Sequence, residues 1–356
     1  MPPHLRLRDA DTSVRYLFYH PPTFKMLHQR SQVKDLLPRF DWIGLVLYSG
    51  GLLVFLMGLA WGGTLYPWKS GYVMGTVIGG GLIFTIFILW EIYLPLGSTE
   101  PFLPLHLFKN IRYMACAWLT AVGAATYYGF SLIWPSAVGV LYTDLSDDRR
   151  GTLVGLVVYG FVFGQILGGF VATFTGPKPG IVVCMTIAAP LLMAVAADPL
   201  NMELTMGLIT TGSLFIGAME GIAICTTSFP LRTQEEIGTA GGLSGAIWAF
   251  GSVLAVAIYA ITLTSRLTTT IPANVVPAAE QAGLPASSIP ALISGLGGRT
   301  SLNSTVVPGI TPQILAVASQ AYRVANAQAY KTVFLASFAF GGLGMIICWF
   351  VRQLSP

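Results

Sequence analysis

Apolar residues in this chain come in long unbroken blocks, where a soluble core would alternate them with polar ones. Eight blocks stand out, approximately 43–60, 73–90, 113–134, 153–173, 181–197, 204–226, 238–263 and 332–350. Each holds roughly 17 to 26 residues, the length a tilted helix needs to cross a bilayer. Lipid cannot hydrogen-bond exposed backbone, and no block has the two-residue period of a barrel strand, so helices are expected throughout. The pattern predicts an all-α polytopic membrane protein with eight transmembrane helices.

The polar punctuation divides these blocks. Residues 1–40 form a basic, proline-punctuated segment without the apolar core of a signal peptide. Two spans follow within 41–95, and 96–356 holds six more. The last two of these are separated by a long segment, 264–330, rich in proline and poor in acids. Its first part, up to Ile310, shows no sustained helical period, whereas Thr311 and Pro312 have the chemistry of an N-cap and a first helical residue. They predict one short surface helix over 313–330. Lys and Arg concentrate in the leading segment, at Lys109 and Arg112, at Lys178, at Arg232 and at Arg352. This asymmetry puts both ends in the cytoplasm and 264–330 outside. Asn303-Ser304-Thr305 in that segment is a glycosylation acceptor that works only on the outer side.

Hydrophobic residues make up 54 % of the chain and charged residues 10 %, the balance of a protein dissolved in lipid. Trp42, Trp61, Trp90, Tyr93, Trp134 and Trp349 fall near block ends and are expected at headgroup depth. Cys116, Cys184, Cys225 and Cys348 lie in four different spans and suggest neither disulfides nor a metal pair. The histidines all lie outside the spans, and no nucleotide loop, zinc motif or nucleophile elbow occurs. An enzyme is therefore not expected, and neither a cofactor nor a metal nor nucleic acid is implied.

Against this background Glu220 is the exception, a carboxylate deep in the sixth span. A charge there costs about 2.5 to 3.5 kcal/mol on insertion scales, so it requires a partner, a proton or a watered cavity. Thr210, Ser213, Gly217, Glu220 and Thr227 share one helical face. In the seventh span Gly238, Gly241, Gly245, Trp248, Ser252 and Tyr259 form a second stripe. Thr120, Gly123, Tyr127, Ser131 and Trp134 form a third in the third span. Facing one another, such stripes describe a pocket for a small apolar or amphipathic molecule that forms hydrogen bonds, with Tyr127, Gln165, Ser213, Trp248 and Tyr259 as candidate contacts. Ordinary bundle packing would produce the same stripes. For Glu220 a proton-exchanging site and a hydrogen-bonded acid that only positions helices stand side by side. Asp41 reads as an N-cap and Glu91 as an interfacial acid. Gln165 suits a structural or a binding role, and Pro190 is expected to kink the fifth span. Gly160, Gly164 and Gly168, and likewise Gly75 and Gly79, have the spacing that brings helix backbones together in lipid.

Several loop motifs occur in a telling order. They are Tyr19-His20-Pro21-Pro22-Thr23-Phe24, Phe40-Asp41-Trp42-Ile43-Gly44-Leu45, and Gly58-Leu59-Ala60-Trp61-Gly62-Gly63 running on to Tyr66-Pro67-Trp68-Lys69-Ser70. Glu100-Pro101-Phe102-Leu103-Pro104-Leu105-His106-Leu107-Phe108 and Ala282-Gly283-Leu284-Pro285-Ala286-Ser287-Ser288-Ile289-Pro290 follow. From about Tyr19 onward the chain resembles fungal fourteen-helix major facilitator transporters of the trichothecene-efflux-pump and siderophore-transporter branch. The resemblance implies that the first two spans are the family's linker pair and the other six its C-terminal half. It also implies that the first six helices, with the family's antiporter motifs, lie outside this sequence.

The implied activity is proton-driven efflux of a mycotoxin, drug or other secondary metabolite, with protons and lipid as partners and the plasma membrane expected over the vacuolar one. Siderophore-iron uptake is the alternative within the same fold. An inactive half-transporter or interacting membrane subunit is the alternative outside it, because one half lacks the second wall around which alternating access rocks.

Overall fold

The computed structural model describes residues 41–63, 65–93, 106–143, 145–228, 231, 234–298 and 307–351. Among them are eight helices long and apolar enough to cross a membrane. They are α1 (Trp42–Trp61), α2 (Gly71–Tyr93), α3 (Ile111–Leu141), α4 (Asp147–Thr175), α5 (Pro177–Ala194), α6 (Met202–Thr227), α7 (Gln234–Gln281) and α8 (Pro312–Cys348). No strand occurs among the described residues. The eight apolar blocks therefore correspond one to one with α1–α8.

Short polar side chains start the helices. The Asp41 carboxylate accepts the Gly44 N–H at 2.8 Å, Asn110 accepts from Tyr113 at 3.3 Å and Asn201 from Leu204 at 3.2 Å. Each satisfies one of the four amides a helix leaves unpaired at its start. Asp41 also accepts the Trp90 indole N–H at 3.1 Å, which ties the start of α1 to the end of α2. At the opposite face the Tyr142 hydroxyl donates to Pro199 O at 2.8 Å, joining the end of α3 to the α5–α6 turn. Back on the first face, Lys178 Nζ donates to Trp349 O at 3.2 Å. These ties alternate between the two ends of the bundle, as successive crossings require.

Glycine sets the closest helix pair. A Cβ added at Gly160 would lie 2.7 Å from Thr210 O, and one at Gly221 would lie 2.7 Å from Gln165 O. Gly164, Gly168 and Gly217 face the partner backbone just as tightly, so α4 and α6 meet main chain to main chain. The α1–α2 pair uses different glycines from those its spacing suggested. Gly75 and Gly79 face open space, while Gly51, Gly58 and Gly80 take the contacts, with Gly80 directly against Phe55. A four-residue period fixes a helical face but not which of several faces meets the neighbour.

Two expectations are corrected. Trp134 does not sit in an exposed aromatic belt. It is fully buried and its indole donates to Leu153 O at 2.6 Å, pinning α3 to α4. Trp42 and Trp349 do lie exposed near helix ends. The second correction concerns 264–330, which is mostly helical where it is described. The seventh helix runs unbroken to Gln281 through Pro272 and Pro277. Thr311 caps α8 through Ile314 N at 3.2 Å as expected, but the helix it opens continues without interruption into the last span. With the short helix Ile289–Leu296, these extensions enclose an apolar core of their own, made by Val275, Ala279, Leu284, Leu292, Val307, Ile314 and Ala318. Burial of that face holds the proline-bearing stretch helical.

Candidate functional site

Glu220 lies on α6 where that helix faces α3 and α7, and it is 1 % exposed. Its Oε1 accepts the Trp248 indole N–H at 2.7 Å, a short bond between α6 and α7. Its Oε2 is enclosed and meets no hydrogen-bond donor among the described residues. No cation lies within ion-pair distance of it among those residues.

Gly123 of α3 provides the room. A Cβ there would lie 2.8 Å from Glu220 Cβ and 2.9 Å from both Cδ and Oε2. The carboxyl is thus held between a side-chain-free patch of one helix and an indole of another. Aromatic rings adjoin this contact. Tyr128 meets Trp248 edge to face with centroids 5.2 Å apart, and Tyr127 stacks on Phe161 of α4 at 4.2 Å. Tyr127 and Trp248 are half-buried and Tyr128 is partly exposed, so the aromatic wall reaches the accessible surface. One acid, one indole N–H and three further rings can hold a mainly apolar molecule and offer it a few directed hydrogen bonds.

The other residues singled out from the sequence lie elsewhere. Ser213 packs toward Gly160 in the α4–α6 seam, about two helical turns from Glu220. Gln165 is half-buried on α4, with its backbone carbonyl against Gly221. Tyr259 is 1 % exposed, with its ring against Gly129 and edge to face with Phe130 and Phe340. It belongs to the packing between α3, α7 and α8, more than three turns from Trp248 along α7. Gly238, Gly241 and Gly245 face open space, and Gly251 makes the close approach of α7 to α3, beside Ala121. Asn303 and Arg232 lie outside the described residues.

Tyr128 and Phe161 were not anticipated. Tyr128 follows Tyr127 directly, so a single helical stripe could hold only one of the pair, although adjacent tyrosines reach both sides of a face. No group of three or more His, Cys, Asp or Glu side chains that could hold a metal occurs among the described residues.

Comparison with known proteins places this geometry in context. The family profile described as the fungal trichothecene efflux pump (TRI12) matches residues 10–355. The trichothecene efflux pump TRI12 of Fusarium sporotrichioides is 25 % identical over 360 residues, covering 95 % of this chain and 57 % of its own length. The MFS-type transporter prx5 of Penicillium rubens is 26 % identical over 348 residues, covering 93 % of this chain and 60 % of its own. The chain therefore spans rather more than half the length of these relatives. Among solved structures, a bacterial homolog to the human lysosomal transporter Spinster, in an inward-facing, unoccupied conformation, aligns with a TM-score of 0.48. Identity there is 16 %, over 90 % of this chain and 68 % of that one.

Proposed function

This chain belongs to the fungal trichothecene efflux pump family, and from that premise we propose that it works as part of a proton-coupled secondary transporter exporting a small apolar or amphipathic metabolite, with Glu220 as the proton-exchanging group. The observation that carries this reading is the half-satisfied carboxyl of Glu220. One oxygen is held by Trp248 and the other is enclosed without a donor. A carboxylate is stabilised by several donors, and here the protein supplies one. The second must come from water, from substrate or from a proton, so occupancy and protonation of this site are linked.

Trp248 and Tyr128 join the acid to the accessible aromatic wall. A substrate seated on that wall would alter the indole that Glu220 depends on, which couples substrate binding to proton exchange across α3, α6 and α7. Tyr127 and Phe161 add stacking area to the same wall. Alternating access requires a facing wall as well. The relatives have length beyond the matched region to supply one, and the plasma membrane is the working location that export implies.

The test is Glu220→Gln in a transporter carrying both walls, reconstituted in liposomes with an imposed pH gradient. The amide keeps the shape and can still accept from Trp248 but cannot release a proton. Substrate binding should persist while uphill, gradient-driven efflux is lost, and Glu220→Asp should retain part of the coupling with a displaced pH optimum. Full efflux by the Gln variant with an unchanged pH profile would make Glu220 a structural acid.

A further inference from the structure

A second cavity lies far from Glu220, where the outer extension of α8 passes the end of α3. It is an open cleft of about 380 Å³, within the range of small-molecule sites. Gly139 and Thr143 of the α3 end, Leu296 of the short helix, and Ser319, Gln320 and Arg323 of α8 line it. Arg323 stands about nine residues before the start of the eighth apolar block, and Gly139 about five beyond the end of the third. At about 1.5 Å per residue these offsets place the cavity roughly 7 to 14 Å outside the apolar spans, at headgroup depth or just beyond.

The cation in this cavity is unmatched. Arg323 Nε is enclosed and meets no hydrogen-bond acceptor among the described residues. No carboxylate among those residues lies within ion-pair distance of the guanidinium, and neither Asp nor Glu lines the cavity. Asp198, with Arg323, acts electrostatically on the Tyr142 phenol, and Arg150 has its own partner in Asp147 at 4.0 Å. An enclosed donor left unsatisfied is costly and uncommon. A guanidinium is a planar fork of five donors suited to two oxygens of one phosphate or carboxylate. Hydroxyl and amide donors from Thr143, Ser319 and Gln320 around such a fork complete the chemistry of an oxyanion site.

We propose that this cavity binds an oxyanion through Arg323, either the phosphate of an anionic phospholipid headgroup or a free phosphate-like anion. The site is separate from the one proposed for transport, and its failure would leave that reading untouched.

The experiment uses the chain purified in detergent with phosphatidylcholine, and follows its thermal unfolding midpoint during titration with phosphatidylglycerol or with inorganic phosphate. Arg323→Gln removes the fork, Ser319→Trp fills the cavity while leaving Arg323 in place, and Arg266→Gln removes an exposed positive charge elsewhere on the outer extension of α7. The unaltered chain should be stabilised by at least one of the two anions. The half-saturating concentration should rise at least about tenfold in both cavity variants, the loss expected for one charge-assisted hydrogen bond, and stay unchanged in Arg266→Gln. A response to phosphatidylglycerol alone assigns the site to a headgroup, and a response to phosphate assigns it to a free anion. If Arg323→Gln does not fold, Ser319→Trp decides. Absence of any response in the unaltered chain, an unaltered response in Ser319→Trp, or an equal loss in Arg266→Gln would overturn the proposal.

Discussion

Replacing Gly164 by alanine tests whether backbone contact between α4 and α6 holds the bundle together. The new Cβ would press directly on Leu214 O and lie 2.8 Å from Leu214 C and 3.0 Å from Ala218 N, where such contacts normally settle at about 3.5 to 4.0 Å. All three obstacles are backbone atoms of α6 and cannot rotate aside, so the helices must part by more than about 1 Å or the site must carry the strain. Overpacking of this kind costs about 1 to 3 kcal/mol. Gly169 provides the control, five residues further along the same helix, because a Cβ there meets nothing within 4 Å. Alanine at Gly169 should be neutral or stabilising by up to about 1 kcal/mol, through helix propensity alone. Equilibrium unfolding in bicelles, read by steric trapping, measures both. The two substitutions should differ in sign. Equal effects within about 0.5 kcal/mol would refute the claim that α4 and α6 touch main chain to main chain.

Gly123→Ala should press on Glu220 and lengthen or break its bond from Trp248. Its signature is a fall in proton-coupled flux larger than its change in stability, and unaltered flux with an unaltered pH profile would remove Gly123 from the site. Trp134→Phe deletes the 2.6 Å bond to Leu153 O and leaves space where the fully buried indole stood, which should cost about 1 to 3 kcal/mol in the same unfolding assay. Glycosylation is expected at Asn303, read as a mass shift removed by an endoglycosidase and abolished by Asn303→Gln. An unmodified chain, with the outer segment cleaved by protease from the cytoplasmic side, would reverse the orientation.

The existence of each span was legible because a bilayer imposes length and apolarity on every crossing, and those constraints leave little choice. The ends were less so. The seventh helix continues through threonines and two prolines that by themselves signal a loop, and it does so because Val275 and Ala279 are buried against Leu292, Ile314 and Ala318. That packing brings together positions distant in sequence and has no local signature. Glu220 announced itself by cost, and Trp248 and Gly123 lay on the stripes drawn from periodicity. Periodicity could not separate Trp248 from Tyr259, since both fall on one stripe while the neighbouring helices change along it. Ser213 lies in the α4–α6 seam for the same reason. A helix as wide as α6 shows one edge of its polar face to α4 and the other to α3 and α7.

The outer core also governs which parts of the molecule can move. α7 and α8 leave the bundle as continuous rods of 48 and 37 residues, roughly 72 and 56 Å long at 1.5 Å per residue. Above the bundle they are joined by the apolar core and by the Asn274 side chain donating to Gln328 Oε1 at 3.1 Å. Two beams fastened at their tops cannot slide independently, so any rocking of the bundle carries α7 and α8 as one body. Trp248 rides on that body and Glu220 does not. The 2.7 Å bond between them therefore links the fastened pair to α6, and it is the contact at which a shift of the pair against α6 would register.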